Sequence, residues 1–310
     1  MKKTPNNENI LRESQSNHDI FSLICKDTQK VSSVSFGYSY CPEERVITIS
    51  RIKSALCPFR YYKEYIERPK PQMPSVSIEL KLGEFFHSSL ESHFKKIMSC
   101  NKRISRQDTI DVEELVDKFD KILFENEKTQ RPYRITRNRD PDDFLKRLRT
   151  IGNNFNLFLC DNLVGHKIIE NGVEGMLEIK TDSNYVIRGK YDLITKDKEE
   201  KLVLWDWKTG KTPDPSDFDN RILQKVQLGI YAIWMRYMFN MDNIRATAIF
   251  LRDENGIGMI SEIFDSKNEE DILNFLSGQR SRLNNFSSYP PVINGLCEWC
   301  GWMTVCPAFC

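Results

Sequence analysis

Asp192, Asp206 and Lys208 have the residue types and the spacing to do chemistry together. They lie in Gly189–Lys211, GKYDLITKDKEEKLVLWDWKTGK, where Asp192 closes one apolar-rich run and Asp206 and Lys208 close the next. The segment between the runs, Lys196-Asp197-Lys198-Glu199-Glu200-Lys201, has nothing to bury and reads as a hairpin loop. Antiparallel pairing of the runs brings Asp192 and Asp206 together although fourteen positions separate them. Two adjacent carboxylates repel, and a hard divalent cation such as Mg²⁺ relieves the repulsion. Alternation along Leu202–Lys208 sets Asp206 and Lys208 on one sheet face, where the ammonium can orient an attacking water or meet developing negative charge. A surface ion pair is the other reading of an isolated D-x-K.

The elements that must position these groups follow from the pattern. Residues 184–195 read as a strand leading into the hairpin, and Glu174–Thr181 as the strand before it. Gly83–Phe94 is an amphipathic helix carrying His87 and His93, which point about 240° apart and cannot serve one metal together. A helix over about Asp219–Phe239 places Gln227 and Tyr231 on one face. Ile244–Leu251 and Ile257–Phe264 read as a closing strand pair, and Ile272–Phe286 as a last helix. Between residues 101 and 165 two long charged helices, one starting near Asp111 and one at Pro141, read as a helical insertion. Its guanidinium-rich entrance (Arg131, Arg134, Arg137, Arg139, then Lys146, Arg147, Arg149) is the best local candidate for phosphate contacts.

With 310 residues, 40% hydrophobic and 29% charged, the chain reads as soluble and globular, large enough for a full core. Its formal charge of +1 gives no global attraction for polyanions, so a nucleic-acid contact must come from a local basic patch. The N-terminus lacks the apolar stretch of a signal peptide and no run reaches membrane-spanning length, so a cytoplasmic location with no membrane partner is expected. Nine cysteines in such a compartment point to ligation where their spacing is tight. Cys297, Cys300 and Cys306 form such a run, C-x2-C-x5-C, with either Cys57 or Cys310 as a fourth thiolate for zinc or an iron–sulfur cluster. Gly210-Lys211-Thr212 is not a P-loop, because the position that loop requires to be glycine is Trp205.

Taken in order, these residues resemble the PD-(D/E)XK nuclease superfamily, and within it the RecB-like exonucleases that carry a [4Fe-4S] cluster, such as the CRISPR-associated members and the AddB nuclease domain. The resemblance runs through Cys57-Pro58, Gly83-x-x-x-His87, Gly189-Lys190-Tyr191-Asp192, Asp206-Trp207-Lys208-Thr209-Gly210, Gln227-x-x-x-Tyr231 and Cys297, Cys300 and Cys306. It implies an α/β, restriction-endonuclease-like mixed central sheet flanked by helices over residues 47–310, preceded by an N-terminal extension, 1–46, and ending in a cysteine tail, 297–310. It also implies Mg²⁺ or Mn²⁺ held by His87, Asp192, Asp206 and the Trp207 carbonyl. Lys208 would position water, Gln227 and Tyr231 would orient the strand and the lysine, and Cys57, Cys297, Cys300 and Cys306 would bind the [4Fe-4S] cluster. The implied substrate is DNA with single-stranded ends or overhangs, in CRISPR adaptation or DNA repair. CRISPR integrase proteins or a separate helicase would be the protein partners, since the chain has no helicase motif. Two other classes use subsets of these residues: a catalytically silent DNA-binding or assembly subunit of the same fold, and a zinc-stapled interaction protein in which Cys310 replaces Cys57.

Overall fold

The computed structural model describes residues 30–42, 45–68, 78–128, 141–183, 185–253, 256–285, 288–294, 297 and 300–309. Cys310, Arg131, Arg134, Arg137, Arg139 and most of the expected N-terminal extension lie outside the described residues.

Strand β7 (Leu202–Lys208) occupies the centre of a five-stranded mixed sheet. Its order is β3 (Lys167–Val173), β6 (Leu193–Lys196), β7, β8 (Ile244–Phe250) and β9 (Gly258–Phe264). The β6–β7 pair is the antiparallel hairpin read from the sequence, with Leu193 opposite Trp205, so the next step of the register sets Asp192 against Asp206. Strand β8 runs parallel to β7, and the long helix α6 (Phe218–Phe239) makes the crossover, as parallel neighbours require.

Alternation along β7 explains how one strand builds two cores. Leu202 and Leu204 face the side covered by α6 (Phe218–Phe239) and α7 (Ser266–Asn284). Val203, Trp205 and Trp207 face α3 (Ile78–Ser99), α4 (Val112–Lys128) and α5 (Pro141–Phe158). Trp207 is fully buried among the rings of Phe94, Phe155 and Phe158, with centroids at 6.0, 5.5 and 5.6 Å. Truncating a tryptophan packed this way costs about 3–5 kcal/mol, so β7 is held rigidly where it carries Asp206. The helices expected as an insertion therefore supply a full layer over the sheet.

A second sheet, with order β1 (Val31–Phe36), β4 (Met176–Thr181), β5 (Val186–Lys190) and β2 (Val46–Ile47), packs on the α6 side. Its edge strand β1 belongs to the expected extension and is fastened by the Trp234 indole, which donates to the Ser35 carbonyl at 2.9 Å.

The single strand expected over 184–195 is two strands, β5 and β6, in different sheets. The chain breaks at Tyr191-Asp192 and, beside it, at Glu174-Gly175 between β3 and β4. Glu174 N–H donates to the Asp192 carbonyl and Tyr191 N–H to the Gly175 carbonyl, so the pairing continues through the double bend. Glu174 adopts φ 51°, a left-handed conformation unusual for a residue with a side chain. Gly175 is required, because a Cβ there would lie 2.0 Å from the Tyr191 hydroxyl. This junction delivers two carboxylates to one end of the central sheet. No helix among the described residues is long and apolar enough to cross a membrane.

Candidate active site

The carboxylates open into a cleft of about 950 Å³ between α3, the sheet junction, the end of β7 and the N-terminal half of α6. Helix α3 buries Leu82, Phe86, Leu90 and Phe94 at four-residue spacing, so His87 falls beside the buried stripe and faces the junction. One turn earlier Gly83 passes Thr209, whose hydroxyl would lie 3.3 Å from an added Cβ. That close approach brings α3 against the loop following β7.

His87 Nδ1 lies 3.2 Å from Asp192 Oδ1 and 3.6 Å from Glu174 Oε1. These three residues form a group whose ligating atoms all lie within 4.8 Å of one another. Asp192 is buried, and its other oxygen accepts the Trp207 N–H at 2.6 Å, tying the junction to β7. Burial pushes the Asp192 carboxyl up, with Asp206 and Glu174 adding to the push against the opposing His87. Burial pulls His87 down, but its hydrogen bonds and charge contacts with Asp192 and Glu174 win and hold it up at about 10. Burial would also raise Glu174, yet His87 and the Lys190 ammonium, 2.5 Å away, keep it below the usual carboxylate range.

Asp206, which the resemblance puts in the metal's ligand set, is held differently. Its Oδ2 lies 2.5 Å from Lys208 Nζ and its Oδ1 accepts from Gln227 Nε2 at 3.2 Å. The Lys208 contact is an ion pair without hydrogen-bond direction, and Oδ2 has no other polar partner. Gln227 is saturated: Oε1 accepts from Lys208 at 3.2 Å, and Nε2 donates to Asp206 and to the Tyr231 hydroxyl at 2.7 Å. Tyr231 in turn donates to the Lys190 carbonyl at 2.8 Å. Burial first, then the Asp206 and Asp192 charges, keep Tyr231 protonated and hence a donor. The structure thus gathers His87, Asp192, Asp206, Trp207, Lys208, Gln227 and Tyr231 in one place. It adds Glu174, read from the sequence only as the start of a strand.

The residue set fits a divalent cation. Two carboxylates and an imidazole offer hard oxygen and nitrogen donors at one point, with the Lys190 charge beside Glu174. The cleft rim is the loop after β7, whose Thr212 N–H donates to Asp253 Oδ1 at 3.1 Å. Asn154 of α5 donates to the Leu251 and Asp253 carbonyls at 2.8 and 3.2 Å, so the helical layer braces this rim. Lys146, Arg147 and Arg149 do not line the cleft: Arg149 is paired with Glu113, Lys146 with Asp143, and Arg147 lies over the Phe144 ring.

Behind the cleft, Cys57, Cys297, Cys300 and Cys306 line one apolar cavity of about 20 Å³. Cys57 precedes α2 (Pro58–Tyr61), and its sulfur accepts the Val292 N–H at 3.4 Å. The Cys297 sulfur accepts the Asn294 N–H at 3.3 Å, and burial pushes the Cys300 thiol up. None of these cysteines is in a disulfide.

Among solved structures, the chain is similar to one described as SSO0001, at 17% identity over 87% of this chain and 90% of that one, with a TM-score of 0.35. It is also similar to a "Putative exonuclease" from Eubacterium rectale, at 11% identity over 82% and 90% of the two chains, with a TM-score of 0.45. Both scores lie below 0.5, so neither likeness bears on function. No curated protein matches the chain. The sequence model of the PD-(D/E)XK nuclease superfamily matches residues 47–307, which takes in His87, both strands of the hairpin, Gln227, Tyr231 and the four clustered cysteines. On that match, and with an acidic hairpin, a D-x-K strand end and a histidine helix converging on one cleft, the chain belongs to the PD-(D/E)XK nuclease superfamily.

Proposed function

We propose that the protein is a divalent-metal-dependent DNA exonuclease that trims single-stranded ends, in CRISPR adaptation or DNA repair. The observation that carries this reading is the convergence of His87, Glu174 and Asp192 within 4.8 Å beside the Asp206–Lys208 pair. His87, Glu174, Asp192 and Asp206, with the Trp207 carbonyl, would hold Mg²⁺ or Mn²⁺. When bound, the cation supplies Lewis-acid polarisation of the scissile phosphate and a water of lowered pKa.

The chain's own groups account for the remaining work. Asp206 draws Lys208 into the cleft, and Gln227 fixes the direction of the ammonium by accepting one of its protons. Lys208 is then placed to orient the attacking water or to meet charge developing on the phosphate. Tyr231, kept protonated, holds Gln227 against the Lys190 carbonyl and couples the lysine's position to the strand that ends in Asp192. To hold the cation, His87 would have to be neutral, so occupancy would depend on pH.

In this reading the four cysteines bind a [4Fe-4S] cluster with a structural role. Supporting it is the single apolar cavity that Cys57, Cys297, Cys300 and Cys306 line together. The test is digestion of end-labelled single- and double-stranded DNA with Mn²⁺, together with the visible spectrum of anaerobically purified protein. Release of end nucleotides from the single strand, with iron–sulfur absorbance near ~400 nm, is expected. Internal cuts only would remove the exonuclease assignment, and a colourless protein with stoichiometric zinc would remove the cluster.

A further inference from the structure

We infer that Lys53 is a phosphate-holding residue of the cleft, a second lysine beside Lys208 that grips the nucleic-acid backbone. The inference rests on the nuclease reading and extends it to a residue outside the family's motifs.

Lys53 lies in the last turn of the short helix α1 (Ile49–Ser54) and is half-buried. It lines the catalytic cleft and also the cysteine cavity, a place in both walls that it alone shares. The backbone leading from it to the cysteines is fastened, with the Leu56 N–H donating to the Lys53 carbonyl and the Cys57 N–H to that of Ser54. The backbone of Lys53 is thereby fixed to the cysteine segment, and the residue borders the catalytic cleft as well.

The charges around Lys53 define what it lacks. Burial first, and the Lys208 charge second, pull its ammonium down to about 8, with Asp206 opposing. Its electrostatic neighbours are thus Lys208 and Asp206, so it stands on that flank of the cleft. Lys190 is taken by Glu174 and Lys208 by Asp206, whereas Lys53 forms no ion pair with any described carboxylate. A half-buried cation beside a like charge, sharing the Asp206 carboxylate that Lys208 already holds, is unfavourable until an anion arrives. In a cleft that faces nucleic acid, the anion that can reach two neighbouring ammonium groups is a backbone phosphate.

Binding of a fluorescent single-stranded oligonucleotide to the full chain, without divalent metal and over a range of salt, tests this independently of cleavage. Lys53→Gln is expected to weaken binding about tenfold or more and to lower the slope of log K against log salt by about 0.7. Lys53→Arg should restore most of both, and Lys118→Gln, a surface change on α4, should leave both unaltered. With Mn²⁺, Lys53→Gln should raise KM while kcat stays within about twofold. A Lys53→Gln protein with wild-type affinity, slope and KM would overturn the inference, as would a Lys53→Arg protein as weak as the glutamine variant. A wild-type chain that binds the oligonucleotide but cleaves nothing would instead sink the nuclease reading, with the salt slopes still deciding the role of Lys53.

Discussion

The catalytic cleft and the cysteine cavity meet at Lys53 but are built from opposite chemistry. The cleft is open, about 950 Å³, and its three central carboxylates each have a cationic partner: Asp192 has His87, Glu174 has Lys190, and Asp206 has Lys208. The cavity is about 20 Å³ and apolar, and its Cys57 and Cys297 sulfurs meet only backbone groups near the tail: the Val292 and Asn294 N–H groups and, for Cys297, also the Val292 carbonyl. A cation entering the cleft would therefore compete with these protons and ammonium groups. A group in the cavity would be a permanent part of the wall, joining Cys57 to a tail some 240 residues later. The contrast teaches that losing a cleft residue should cost chemistry, and losing a cysteine should cost structure.

The largest expected effect is on the cleft. Glu174→Ala should lower cleavage by roughly 10²–10³-fold and reduce metal-induced thermal stabilisation. A Glu174→Ala protein with full activity would remove that residue from the metal's ligand set. Gln227→Ala should lower kcat about tenfold to a hundredfold with KM little changed, because it frees Lys208 without touching the ligands. Equal loss in KM and none in kcat would show that Gln227 serves binding instead.

Cys57→Ser reverses the pattern: loss of the bound group and a melting temperature lower by several degrees, with Mn²⁺ affinity of the folded protein within about twofold of wild type. A large fall in Mn²⁺ affinity would break the separation of the two sites. The smallest effect is a pH dependence. His87 sits at about 10 when folded, against an ordinary value near 6.5, so its ion pairs stabilise the metal-free protein fully below about pH 6.5 and lose that contribution as pH rises through about 10. Mn²⁺ competes with the same proton, so the rise in melting temperature on adding Mn²⁺ should be larger at pH 9 than at pH 6.5. A rise independent of pH would mean that His87 is not displaced.

The legible part of the site was the part set by short-range periodicity. Asp206 and Lys208 were visible because a strand alternates every two residues, and Gln227 and Tyr231 because a helix returns every four. Asp192 followed from the hairpin register. His87 was a single residue on an amphipathic helix, and only the order of motifs along the chain selected it. Glu174 was invisible for a physical reason: it gains its position from a left-handed bend and from two strands that change sheets together. Strand β3 was hidden likewise, since a register shift between Ile168 and Val173, with Asn171 also left-handed, spoils its alternation. The helices of residues 112–158 were read correctly as helices but not as a core layer, because charge on one face conceals how much the other buries.

The proposal places a metal-dependent nuclease centre at the Asp192–Asp206 hairpin end, separate from the cysteine cavity. It is tested most directly by digesting end-labelled single-stranded DNA with wild type and Asp206→Ala in Mn²⁺ and in chelator, with the spectrum of each protein recorded alongside. The account predicts nucleotide release by wild type in Mn²⁺ alone, none by Asp206→Ala, and the same cysteine-centre spectrum for both. Metal-dependent cleavage retained by Asp206→Ala would contradict it.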